Sequence, residues 1–177
     1  MQSQIEASAT QAKISRKRAP QAAPVAIIDT REQNPLDLEK YGLRVERRPL
    51  PWGDYSLRGL EKTVAIERKS LDDFMACVGS QRVRFDREIL ALRGYTVKMI
   101  VCEFNFGDIL GQNYRARVHP SSVIGSIERW MLYGISFIMA GSHAGAEYLV
   151  SGILQKLSED LNTGMKLIQL MPGILEE

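Results

Sequence analysis

Cysteine and histidine are scarce in this chain of 177 residues, which has two of each. Cys77 and Cys102 sit inside apolar periodic segments, which suits reduced, buried thiols rather than a disulfide framework. His119 and His143 have no ligand-type partner at useful spacing, so no zinc site is expected. No apolar run is long enough to span a bilayer, and the N-terminus has no apolar signal core. Membrane and secreted classes are thereby set aside. A soluble intracellular protein is expected, in cytoplasm or nucleoid for a prokaryote or virus and in the nucleus for a eukaryote. A large charge excess of one sign is missing too, since the net charge is +2. Lys13, Arg16, Lys17 and Arg18 against Glu6 give the first 23 residues +3, leaving −1 for the rest. Such a body is no general basic sponge, so any nucleic-acid binding must come from local patches. No internal repeat is visible.

What is present suits one ordinary globular domain, with 45% hydrophobic and 25% charged residues. Residues 1–23, rich in Gln, Ala and Ser, read as a disordered basic arm. Residues 24–160 read as the folded domain. Residues 161–177 read as a tail whose apolar part, Leu167 to Leu175, packs on the domain or covers a partner.

Within the domain, Pro24 to Asp29 is a short apolar run ending in an acid, hence a buried strand. The loop 30–35 follows, then one helical turn over 36–41 closed by Gly42. Strands are expected over 43–48 and 55–57, and from Thr63 onward. After Lys69 the hydrophobic period changes from two to about 3.6. Ser70 is a good N-cap, and Asp72 and Asp73 suit the first turn of a helix. A second helix runs from Gln81 to Gly94, with Phe85, Ile89 and Leu92 inward and Arg82, Arg84 and Arg87 elsewhere. Residues 96–102 form a central strand, closed by Glu103. Glu103 reads as a strand-end charge, with a role near a site as the second option. Residues 104–111 are ambiguous, and 112–118 form a polar loop carrying Arg115 and Arg117. Pro120 starts a helix, 135–139 is a strand, and Ser142 caps a last helix. This order predicts an α/β domain with a mixed central sheet flanked by helices.

The chemistry concentrates in Val64-Ala-Ile-Glu-Arg-Lys-Ser-Leu-Asp-Asp73. Side chains alternate along a strand, so Glu67 and Lys69 face one way and Arg68 the other. A carboxylate and an ammonium thus project together from one strand end. Just upstream, Trp52-Gly-Asp-Tyr55 offers a second carboxylate, Asp54. An acid followed by acid-x-Lys is the arrangement of many Mg²⁺-dependent nucleases. Carboxylate oxygens hold a hard cation, and the lysine orients or activates the attacking water. Acid-x-Lys alone is a weak signal, because solvated Glu-x-Lys pairs are common. Arg84 and Arg87 stand equally for a wet helix face or for DNA contact.

The longer string is specific. Ile27-Ile-Asp29-Thr-Arg-Glu32, then Gly53-Asp54-Tyr55, then Glu67-Arg-Lys69 with Asp73, closely resembles the XPF-type nuclease family, which includes the archaeal Hef nucleases and the nuclease domain of eukaryotic XPF. Its signature is Gly-Asp, then Glu-Arg-Lys, three residues and Asp. The resemblance covers about Val25 to Leu157. It implies a restriction-endonuclease-like core that cuts DNA at branches, flaps or junctions with Mg²⁺ or Mn²⁺. Carried over by position, Asp29, Glu32, Asp54 and Glu67 form the acidic, metal-facing set, and Lys69 is the catalytic lysine. Arg68 and Asp73 complete the motif. Arg31 and Arg82 are implied phosphate or site-organising groups, with Arg84, Arg115 and Arg117 as further candidates for DNA. The chain departs from many relatives in lacking tandem helix-hairpin-helix modules; Leu170-Met-Pro-Gly-Ile174 only faintly resembles the opening of one.

Three readings follow: a structure-specific DNA endonuclease, a restriction-like or Holliday-junction-resolving nuclease of the same core, and a non-catalytic DNA-binding or dimerisation subunit. Apolar surplus on the last two helices, at Trp130, Met131, Tyr133, Tyr148, Leu149, Leu154 and Leu157, predicts a homodimer through Ser121 to Leu157. A heteromeric partner is the alternative.

Overall fold

The structure, a computed structural model, describes residues 23–163. The expected basic arm and the apolar tail beyond Thr163 lie outside the described residues. A six-stranded sheet runs in the order β2-β1-β3-β4-β5-β6. Its strands are β1 (Val25–Asp29), β2 (Arg44–Arg48), β3 (Tyr55–Leu57), β4 (Val64–Lys69), β5 (Val97–Cys102) and β6 (Ser136–Met139). Only β3 runs against the others: β1 pairs parallel with β2, β4 with β5 and β5 with β6, while β3 is antiparallel to both β1 and β4.

That single reversal positions the site. The C-terminal ends of five strands and the N-terminal end of β3 share one sheet edge. Asp29, Asp54, Lys69 and Glu103 therefore meet there from distant parts of the sequence. In sheets of this kind, ligands bind beyond the carboxyl ends of parallel strands.

Helices cover both faces, as expected of a sheet buried on both sides. On one face pack α1 (Leu71–Val78), α2 (Arg82–Leu92), α3 (Phe106–Leu110) and α4 (Pro120–Leu132), through Phe74, Phe85, Ile109 and Trp130. On the other face lies α5 (His143–Thr163), with Ala146, Val150 and Leu154 buried against Ile28, Ile66 and Val101. The period of two in β4 divides accordingly: Ala65 belongs to the first core, Val64 and Ile66 to the second.

Local signals explain the boundaries. Ser70 Oγ accepts the Asp73 N–H at 3.2 Å and starts α1. Pro120 opens α4 behind His119, whose Nδ1 accepts the Ser121 N–H. The ambiguous stretch 104–111 contains α3, held at its start by the Asn105 N–H donating to Asp108 Oδ2 at 2.8 Å. At the start of α5, a side chain on residue 145 would put its Cβ 2.1 Å from the Ala140 carbonyl oxygen, so glycine is required.

The apolar surplus divides. Trp130 and Leu154 are core, whereas Met131, Leu132 and Tyr148 are exposed.

Candidate functional site

The end of β4 projects its charges to opposite faces of the sheet. Lys69 Nζ donates to Glu67 Oε1 at 2.5 Å, and the ammonium lies 5.3 Å from the centre of the Phe85 ring on α2. Arg68 points the other way. Its guanidinium meets Glu32 through Nε and Nη2, both at 3.1 Å, and reaches Glu103 at 3.0 Å through Nη1. Glu103 in turn faces His143 Nδ1 at 2.6 Å.

Asp54 sits between the two sets. Gly53 before it adopts φ +79°, and a Cβ there would come within 3.2 Å of Ala65 Cβ and the Ile66 backbone. Only glycine permits that approach. The Asp54 N–H donates to the Ile66 carbonyl, and its own carbonyl accepts from Asp29, each at 2.8 Å. One carboxylate oxygen, Oδ2, accepts the Arg68 N–H at 2.8 Å. The carboxylate opens into a cleft shared with Glu67, Lys69, Arg31, Arg84 and Glu88.

The electrostatics of this cleft are unbalanced. Burial, followed by the negative charge of Glu67, pushes the Asp54 carboxyl up to about 8. Glu88 is raised by the same two causes in the same order. Lys69 is desolvated, but Glu67 more than offsets this and keeps the ammonium firmly charged. On the other face the balance is complete. Glu32 is buried, yet the hydrogen bonds from Arg68 and from the Asn34 N–H lower its carboxyl below the ordinary range.

Asp54 and Glu67 are the residues that could hold a divalent cation. Two crowded carboxylates, the Asp54 one raised by burial and then by the charge of Glu67, make a donor set whose crowding a cation would relieve. The set is small, since no cluster of three or more His, Cys, Asp or Glu among the described residues is arranged to hold a metal. It suits an ion such as Mg²⁺, which binds through one or two carboxylates and keeps water and phosphate oxygens for the rest.

Three of the four expected acids, Asp29, Asp54 and Glu67, line the first cleft, and Glu32 lines a second one that Asp54 also borders. Asp29 is buried and saturated. Its oxygens accept from the Arg31 N–H and side chain and, at 2.6 Å, from the Leu50 N–H. Burial opposes ionisation, but these bonds hold its carboxyl at about 2. Glu32 is bound to Arg68. Asp73 stays on the exposed first turn of α1, where it accepts from Ser70 Oγ at 2.7 Å. It lines a second cleft on the Arg68 side, with Glu32 and Glu103. Arg31 and Arg84 stand exposed at the rim of the first cleft. Arg82 is a brace: it bonds Asp86 and Ser126 and lies 4.9 Å from the Trp130 ring centre. Arg115 and Arg117 are exposed on the loop before α4 and line neither cleft.

Two residues were not foreseen as site members, and a third, Glu103, was expected there only as a second option. Glu88 and Trp52 line the cleft, and Glu103 holds Arg68. Glu103 directly follows β5, whose Cys102 is in register with Lys69, so its placement follows once those two strands are paired.

A mixed six-stranded sheet flanked by helices, with Asp-then-Glu-x-Lys at its carboxyl edge, defines the class: the fold is that of XPF-type nuclease domains. The chain belongs to the ERCC4 domain family, whose profile matches residues 28–151. It is similar to XPF from Aeropyrum pernix in complex with DNA, at 26% identity and a TM-score of 0.61, over 78% of this chain and 66% of that one. A structure of the same XPF described without DNA gives the same identity and TM-score over 85% and 75%. The chain therefore spans about two thirds to three quarters of that relative's length. No curated protein sequence matches, and no described helix is long and apolar enough to cross a membrane.

Proposed function

We infer that the chain is a Mg²⁺- or Mn²⁺-dependent DNA endonuclease that hydrolyses phosphodiesters at branched, flap or junction-containing DNA. The observation that carries this reading is the half-buried Asp54–Glu67 pair, in which the charge of Glu67 raises the Asp54 carboxyl, beside a fully charged Lys69. The relative from Aeropyrum pernix, whose structure holds DNA, supports DNA as the substrate.

Asp54 and Glu67 hold the cation, with Glu32 or Asp29 acting only through water or through their partners. When bound, the cation polarises a phosphate oxygen and lowers the pKa of attacking water. Lys69, fixed by Glu67 and Phe85, presents a positive charge where negative charge develops in the transition state. Arg31 and Arg84 at the rim meet the flanking phosphates, and Arg115 and Arg117 extend that contact. Arg68 sets the β4 terminus by holding Glu32 and Glu103.

The active particle is a homodimer through Ser121–Leu157. Exposed Met131, Leu132 and Tyr148 support this, and sedimentation at micromolar concentration tests it. A heteromeric partner over the same segment is the competing outcome.

The deciding experiment compares cleavage of flap, fork, four-way and plain duplex DNA in Mg²⁺, Mn²⁺ and EDTA. Preference for the branched substrates with loss in EDTA is expected. Undiminished cutting in EDTA, or none on any substrate with metal, overturns the reading.

A further inference from the structure

The chain has two tryptophans, and the fold treats them in opposite ways. Trp130 is fully buried. Its Nε1 donates to Asp86 at 3.0 Å, and its ring packs on Phe74, Phe85 and Phe137. Trp52 is 39% exposed. Among the described residues it has no hydrogen-bond, ring or cation partner.

The place of Trp52 says what covers it. It lines the same cleft as Asp54, Glu67 and Lys69, with the cations of Arg31 and Arg84 at the rim. It is also fixed. The next residue, Gly53, lies against Ala65 and Ile66 of β4, and Asp54 is pinned by backbone bonds to β4 and β1. Two trans peptides separate Trp52 from Asp54, so their Cα atoms are at most about 7.6 Å apart. With both residues lining one cleft, the tryptophan borders the cation-holding carboxylate.

An exposed indole in a cleft that also carries two arginines, next to a site for phosphodiesters, matches a nucleotide: base on the indole, phosphates on the arginines. In intact duplex both faces of a base are already stacked on neighbours. An unpaired nucleotide offers a free face without the cost of unstacking. We propose that Trp52 is a stacking platform for an unpaired nucleobase adjoining the scissile phosphate, and that it sets the preference for substrates with single-stranded character. This rests on the nuclease reading and deepens it.

The test uses the full chain in EDTA, so that no cleavage intrudes. It is titrated with oligothymidylate, a forked duplex and a blunt duplex of equal length, reading indole fluorescence and affinity. Oligothymidylate and the fork quench the emission, and the blunt duplex does not. Trp52→Ala abolishes the quench and loses roughly 5- to 100-fold in affinity for the fork, with a smaller loss on blunt duplex. Trp52→Phe keeps most of the affinity. If Trp52→Ala does not fold by circular dichroism, the wild-type quench and Trp52→Phe decide. Equal quenching by fork and blunt duplex, equal losses on both, or no quench by any DNA overturns the proposal. Quenching with no metal-dependent cleavage leaves the platform standing and removes the nuclease reading instead.

Discussion

The two faces of one strand end make the instructive contrast in this molecule. On the Arg68 face each charge is answered: Arg68 by Glu32 and Glu103, and Glu103 also by His143. On the Lys69 face, Asp54 and Glu67 share a cleft with the single ammonium of Lys69, while Arg84 at the rim turns to Glu88 at 3.7 Å and Arg31 to Asp29. Both sets are largely desolvated. A paired set fixes geometry, whereas an underpaired set keeps electrostatic demand for something not yet bound. The alternation of β4 separates the two tasks without separating them in sequence.

The sharpest way to break this contrast is to remove the demand. Asp54→Asn keeps the shape and the Arg68 N–H bond but deletes a cation-holding charge. Cleavage should fall on the order of 1,000-fold, the scale of losing a group that stabilises transition-state charge, while DNA affinity changes little. Lys69→Ala should likewise lower kcat far more than it weakens binding. Single-turnover cleavage alongside equilibrium binding measures both. Wild-type turnover in either variant would mean that the cleft is only a surface.

The paired face should respond in stability instead. Arg68→Ala leaves buried Glu32 and half-buried Glu103 with their shared cation gone. Breaking a buried charge set by removing one partner costs about 3–5 kcal/mol, read as a lowered denaturation midpoint in urea. Little change would show that water already screens this network.

Much of this was legible in the sequence. The order Asp29, Glu32, Gly53-Asp54, Glu67-Arg-Lys69 indicated the edge, and strand alternation alone separated Arg68 from Glu67 and Lys69. The fate of each acid was not legible, because it depends on who reaches it first. Asp29 is captured by Arg31 and by a backbone amide at Leu50. Arg82 is captured by Ser126 and Trp130, 44 and 48 positions away in the sequence. Glu103 looked like a strand-end charge because its partner, Arg68, becomes its neighbour only through the β4–β5 pairing. Glu88 was not singled out at all, since its period on α2 gives no hint that it shares a cleft with Glu67.

Protonation sharpens the contrast with opposite signs. The Asp54 carboxyl, held at about 8 against an ordinary 3.8, binds its proton more tightly when folded than when unfolded. Its contribution to stability is complete below about pH 4 and is lost as pH rises through 8. A divalent cation displaces that proton, so metal-induced thermal stabilisation should grow from pH 6 to pH 8 and vanish in Asp54→Asn. Asp29, held at about 2, behaves the other way. Its contribution, about 2 kcal/mol, is present above about pH 4 and is lost as pH falls towards 2. Melting curves against pH, with and without Mg²⁺, separate the two. A metal shift independent of pH would show that Asp54 is ionised before the cation arrives.

The smallest expected effect is the most discriminating for the paired face. His143 is its outermost member, 35% exposed, and touches Glu103 rather than any residue of the cleft. His143→Ala leaves the Arg68–Glu103 contact in place, and Glu147 keeps Lys40 at 3.3 Å. A partly hydrated contact of this kind is worth about 1 kcal/mol or less. Cleavage should fall by less than about tenfold, below the usual loss when a supporting partner at a metal site is removed. Suppose instead that His143→Ala keeps its melting temperature and loses 100-fold in kcat. The chain His143–Glu103–Arg68 would then reach the reaction itself, because a merely structural brace cannot lower turnover at unchanged stability. The division of β4 into a supporting face and a reacting face would have to be withdrawn.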